Sequence, residues 1–236
     1  MKRNLIVVSA AAVAIIVLLG VAAYSYFFSG LRTSPAGLGL STPPASSSST
    51  APTGLAATWK VTTGSLAGYR VQELFAGDAS KHLAVARTSD VRGGLTVTGD
   101  ASGYQISGIT LTADLTSLHS VDQVAGRNVS QRDGIVARQL EMQQIPFATF
   151  TATNASVPGS VAITPADVTL LGKLTIHGVT KDVTATAHVQ VVGDTIEIAG
   201  LLSINMADYG VAPPRAPFVT VDPIATIEFD VFLTRS

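Results

Sequence analysis

The sequence predicts an all-β, antiparallel domain with one short helical insertion, carried behind a single N-terminal transmembrane helix. Three observations lead there. Residues 5–28, LIVVSAAAVAIIVLLGVAAYSYFF, hold no charged side chain; from Trp59 onward apolar residues recur at every second position; and Gly, Pro, Asn and Asp punctuate those alternating runs. Strict alternation describes strands that are dry on one side and wet on the other, the signature of antiparallel sheet.

The elements follow in order. Residues 1–4, MKRN, form a cytoplasmic tail, and residues 5–28 a signal-anchor helix. Such a helix would be roughly 36 Å long, enough to cross a hydrocarbon core of about 30 Å with some tilt. Lys2 and Arg3 oppose only Arg32 across the run, which puts the N-terminus inside and the rest of the chain on the extracytoplasmic side of the cell membrane. The alternative is a secreted protein, with a signal peptide cleaved after the VAA that ends at Ala23. Residues 29–56, rich in Ser, Pro, Gly and Thr, are expected to be a disordered linker with an end-to-end distance of roughly 30 Å. The globular domain then occupies 57–236.

Within it, GITLTADL, PFATFTAT, LLGKLTI (170–176), DVTATAHVQVV (182–192), DTIEIAGLLSINM and ATIEFDVFL read as strands. Val183, Ala185, Ala187, Val189 and Val191 share one face, with Thr184, Thr186, His188 and Gln190 on the other. Glu228 and Asp230 alternate with Ile227, Phe229 and Val231 and so read as solvated. Residues 121–144 break the period of two, and Val129, Val136 and Leu140 suit one helical face. About eight or nine strands with one insertion suit a closed barrel or a two-sheet sandwich.

The composition excludes several chemistries. Charged residues are 13% and the net charge is −1, which gives no pull toward nucleic acid; there is no cysteine, hence no disulfide or thiolate chemistry. The histidines, His82, His119, His177 and His188, show no metal-ligand spacing. A nucleophile elbow, a P-loop and a dinucleotide fingerprint are absent. No catalytic residue and no metal site is assigned, and the chain reads as a binding protein rather than an enzyme. In HGVTKD, Gly178 suits a positive φ at a hairpin. His177 and Asp182 are read as tying that turn together, with a headgroup contact at a barrel rim as the other reading of His177.

LLGKLTIHGVTKDVT resembles the G-x-L-T-I-x-G-V-T-K-x-V signature of the YceI-like family. QRDGIVARQLEMQQIPFATFTAT and INMADYGV resemble two further stretches of that family, in its order, and GYRVQE resembles a membrane-tethered branch. Ile145 stands where the family has a tyrosine before proline, and Met206-Ala207 where an arginine is common before the Asp-Phe-Gly. The resemblance implies a lipocalin-like antiparallel barrel around a long apolar tunnel, binding an amphiphile such as a polyisoprenoid, quinone or lipid, with no other cofactor. On that reading Ala148, Phe150, Ala152, Leu174, Ile176, Val183, Ala185 and Ala187 line the tunnel. Arg127, Arg132, Lys173, His177 and Lys181 sit at its rim near the headgroup. A β-sandwich adhesion or scaffold module with a filled core is the alternative.

Overall fold

The computed structural model describes residues 13–24, 32–42 and 54–236. Residues 13–24 are helical. Among the described residues no helix is long and apolar enough to cross a membrane; the remainder of the expected 5–28 span and the 1–4 tail lie outside them. The strands are β1 (Arg32–Thr33), β2 (Ala57–Val61), β3 (Leu66–Phe75), β4 (His82–Thr88), β5 (Val91–Asp100), β6 (Gly103–Asp114), β7 (His119–Ser120) and β8 (Gln123–Val124). After helix α1 (Gln131–Gln139) come β9 (Phe147–Val157), β10 (Ala166–Ile176), β11 (Val179–Val192), β12 (Thr195–Asn205), β13 (Arg215–Ala216) and β14 (Val219–Arg235).

The sheet closes on itself in the order β14–β2–β5–β6–β9–β10–β11–β12–β14, every pairing antiparallel. The long β14 closes it, pairing with β12 along one edge and with β3 and then β2 along the other. β2 and β3 are thus one strand position, interrupted where Ser65 Oγ accepts from Phe232 N–H at 3.0 Å and donates to Thr62 O at 2.8 Å. β4 extends the position of β5 in the same way. Of the barrel and sandwich alternatives, the barrel is the one formed, and α1 is the expected helical insertion.

Register assigns the two faces. In β10, Val168, Leu170, Leu174 and Ile176 are buried, while Asp167, Thr169, Leu171 and Lys173 are exposed. Opposite them in β11 stand Ala187, Ala185, Lys181 and Val179. One half of the interior is solid. Trp59, Val231 and Leu233 are fully buried there, the Trp59 indole donates to Leu55 O at 3.0 Å, and two gaps there measure only about 20 Å³ each.

A layer of large side chains, Leu111, Phe150 and Phe229, crosses the waist. Their neighbours two residues along on one side (Ala113, Ala148, Ile227) line a cavity, and those on the other (Ile109, Ala152, Val231) belong to the core. Two glycines make room for the rings: a Cβ at Gly172 would lie 2.6 Å from the Phe150 ring, and one at Gly200 2.6 Å from that of Phe229. The expected long tunnel is therefore corrected to an apolar chamber in one half of the barrel.

Two other expectations change together. Residues 32–42, placed in the disordered linker, lie along the outside of the barrel. β1 pairs with β8 (Arg32↔Val124) and Arg32 meets Asp78 at 2.9 Å. Ser34 Oγ donates to Leu83 O, Arg70 and Arg87 donate to Pro35 O and Ala36 O, and Leu38 N–H donates to Glu228. Ser41 donates to Glu197 through both its N–H (2.6 Å) and its Oγ (2.8 Å). Glu228 is consequently not solvated. It is 1% exposed beneath this strap, paired with Arg87 at 2.9 Å and Arg70 at 3.4 Å. Buried carboxylates persist only with such partners. Residues 29–31 and 43–53 of the expected linker lie outside the described residues.

Candidate binding site

The chamber has a volume of about 160 Å³. Its walls are Val71, Ala148, Leu174, Ile176, Ile204 and Ile227 from the strands. Val136 of α1 and Leu140, which caps its C-terminus, roof it with the 206–214 loop, and Gln139 Nε2 donates to Ala212 O at 3.0 Å to join the two. A void of that size with an apolar lining stays dry and accepts apolar ligands.

Its polar groups are concentrated. Arg132 reaches the wall from α1 and donates to Asp122 (2.8 and 3.1 Å), Glu73 (2.6 Å) and Ser120 Oγ (3.0 Å). Asp122 also takes the Val85 N–H at 2.9 Å and lies 2.7 Å from His82 Nε2. Burial alone would raise Asp122, but hydrogen bonds from His82, Arg132 and Val85 outweigh it and hold its carboxyl well below the usual carboxylate range. Burial would lower Arg132, and its two carboxylate partners more than reverse that. Tyr69, on the same wall, is pushed up by burial, with partial relief from Arg132. Glu73, His82 and Asp122 bring ligand atoms within 4.8 Å of one another, a metal-like spacing. The Arg132 guanidinium supplies the cation between the two carboxylates, so the donor set is already satisfied.

Tyr209 is different. It lines the chamber, is 2% exposed, and its hydroxyl has no hydrogen-bond partner among the described residues. Such an orphan costs about 1–3 kcal/mol unless a ligand satisfies it. Burial, then Asp208, raises its pKa, so it presents an O–H donor. Its placement comes from the hairpin that the sequence singles out. Ile176 pairs with Val179, and the central residues His177 and Gly178 have φ of 50° and 71°, both positive as a two-residue primed turn demands. His177 Nδ1 lies 3.2 Å from Tyr209 O. A carbonyl only accepts, so Nδ1 carries the proton and the turn pins the Met206–Tyr209 3-10 turn against the chamber. Asp182 does not tie the turn; it pairs with Lys173 at 2.7 Å on the outer surface.

The expected lining residues divide accordingly. Ala148, Leu174 and Ile176 line the chamber, and Phe150 lies in the layer beneath it. Ala185 (1% exposed) and Ala187 (0%) are in the packed core. Ala152 belongs to the core as well, and with Val183 it borders an outer groove between β9 and β10. Of the rim residues, only Arg132 reaches the chamber. His177 acts through Tyr209. Lys173 and Lys181 are exposed on β10 and β11, and Arg127 stacks on Phe75 at 4.1 Å while meeting Asp78 at 3.4 Å.

Sequence reasoning missed Glu73, His82 and Asp122, whose separation along the chain hides their meeting, and Tyr69 and Tyr209. The ADYG stretch was the available signal for Tyr209.

A family model described as YceI-like domain matches residues 61–233. The chain belongs to the YceI-like family. Among solved structures similar to the chain, the first below has the same fold. A polyisoprenoid binding domain from Saccharophagus degradans, implicated in plant cell wall breakdown, is 18% identical with a TM-score of 0.52, covering 77% of this chain and 99% of its own. BcnA of Burkholderia cenocepacia is 19% identical with a TM-score of 0.44, covering 70% and 95%. The YCEI protein of Campylobacter jejuni is 17% identical with a TM-score of 0.48, covering 69% and 94%. No curated protein matches the chain. The YceI-like barrel here differs from the long apolar tunnel that the resemblance implies in having a waist of Leu111, Phe150 and Phe229.

Proposed function

We propose that this protein is a membrane-tethered, extracytoplasmic binding protein that holds the head-proximal part of a long apolar amphiphile, a polyisoprenoid, quinone or lipid, in the barrel chamber. The observation that carries the reading is a chamber of about 160 Å³ with apolar walls and one orphaned hydroxyl, Tyr209. Family membership and the name of the Saccharophagus relative support the ligand class. The uncharged 5–28 run supports the tether.

The energetics favour a carrier near a membrane. Exposing one five-carbon isoprene unit to water costs on the order of 4 kcal/mol at about 0.8 kcal/mol per methylene, so transfer from bilayer to chamber exchanges one apolar medium for another. The head group is uncharged on this reading. Arg132 is the one cation lining the chamber among the described residues, and Glu73 and Asp122 already neutralise it. A carbonyl or hydroxyl, by contrast, completes Tyr209.

Native mass spectrometry of the full chain, extracted from its membranes in mild detergent, tests this. A co-purifying neutral isoprenoid or quinone mass is expected. A ligand-free barrel after such extraction would favour the filled scaffold module instead, and a bound diphosphate would overturn the head-group assignment.

A further inference from the structure

The strap has a direction. Arg32 docks where Asp78 turns between β3 and β4 and where β8 leads into α1, the chamber end of the barrel. Ser41 docks at Glu197 and Gln190, on strands whose inner faces belong to the packed half. The chain therefore reaches the barrel at the chamber end first and runs away from it. Between them, residues 32–41 make backbone or side-chain hydrogen bonds to six barrel residues on β3, β4, β11, β12 and β14.

Only four residue steps separate Phe28, the last of the apolar run, from Arg32. Fully extended, they span at most about 14 Å. An undocked linker to Ala57 would instead leave the domain wandering over roughly 30 Å with either end toward the lipid. At the chamber end the outer surface also carries half-exposed apolar side chains: Leu74 (37%), Phe218 (56%) and Ile224 (51%). Leu74 and Phe218 sit together, since Leu74 pairs with Thr220 and Ala76 N–H bonds Phe218 O at 2.9 Å.

We infer that residues 32–42 are an orienting strap that seats the chamber end of the barrel, with Leu74, Phe218 and Ile224, on the lipid bilayer surface. This rests on the anchor proposed above and adds a geometry to it. The apolar path from bilayer to chamber is then short, and the packed end, bearing Asp100 and Asp194, points to solvent.

The chain has no cysteine, so single labels are unambiguous. Full-length Phe218→Cys and Asp194→Cys, each carrying a fluorescent donor, are reconstituted in phosphatidylcholine vesicles containing a head-group-labelled acceptor lipid. Energy transfer severalfold stronger from position 218 than from 194 is expected, and a twelve-residue Gly-Ser spacer inserted between Gly30 and Leu31 should shrink that difference. Equal transfer from the two positions, or a difference that the spacer leaves intact, overturns the strap's orienting role. Mass spectrometry of bound ligand on the same samples separates this from the carrier reading: ligand retained without end preference sinks the strap alone. Protein released by carbonate washing removes the anchor and this inference with it.

Discussion

Arg132 and Asp122 meet fork to fork, Nη1 to Oδ1 at 2.8 Å and Nη2 to Oδ2 at 3.1 Å, with Glu73 2.6 Å from Nη2. The two carboxylates are almost wholly buried, at 0% and 4% side-chain exposure. Removing the guanidinium strands both of them, and breaking such a buried pair costs on the order of 3–5 kcal/mol. Arg132→Met should lose about that much in urea unfolding, whereas Arg132→Lys, lacking the fork, should recover only part.

The same pair sets an acid limb. Asp122 is held below its unfolded value, near 4, so its contribution is full above that pH and is lost as pH falls through the folded-state value. Wild-type unfolding midpoints should therefore drop steeply below about pH 4, and those of Arg132→Met, which keeps only His82 and Val85 as partners of Asp122, should drop less. An equal slope in both proteins would detach Asp122 from Arg132.

Tyr209→Phe separates a structural from a ligand role. The hydroxyl has no partner in the barrel, so deleting it should leave the ligand-free protein as stable, or about 1 kcal/mol more stable. Affinity for a carbonyl-bearing isoprenoid should fall about tenfold, the equivalent of one hydrogen bond. Titration of the delipidated protein with a short-chain quinone reads both effects. Unchanged affinity would place the head group elsewhere.

How much of this was legible follows from range. Alternation along β11 put Ala185 and Ala187 on one face of the strand, and both are buried, because the period of two is a local property. It could not say which inner residues border space. That depends on Phe150 and Phe229 meeting Gly172 and Gly200 across strands. Nor could it foresee that Glu228 is covered, because Leu38 and Arg70 come from distant parts of the chain. His177 was legible as a turn residue and not as the support of Tyr209, 32 positions on. The motifs around both stretches flagged the neighbourhood without its geometry.

Asp230 gives a pH signature of opposite sign. Burial, then the neighbouring Glu197, pushes its carboxyl up to about 7. A carboxyl with a raised folded-state value favours the folded protein most at low pH, and that advantage is lost as pH climbs from about 4 toward 7. Asp230→Asn, which cannot ionise, should stabilise the protein more at pH 8 than at pH 5 in matched denaturant titrations. Glu197 also holds Ser41, so relief of repulsion at Asp230 should protect the strap's amides from hydrogen exchange at the higher pH.

Filling and emptying the two halves of the barrel tests the chamber directly. Ala148 borders open space, and a ring placed there enters a void. Ala148→Phe should change stability by less than about 1 kcal/mol while abolishing ligand occupancy. Ala187 is 0% exposed against gaps of about 20 Å³, so Ala187→Phe should instead overpack the core and cost about 1–3 kcal/mol, with the chamber still able to bind. Phe229→Leu thins the waist beside Gly200 and should let longer tails enter, at a modest cost in stability. Occupancy by native mass spectrometry and unfolding midpoints, measured on all three, give a pattern that a filled scaffold cannot produce. In a solid core Ala148→Phe and Ala187→Phe would be equally damaging, and ligand would follow neither.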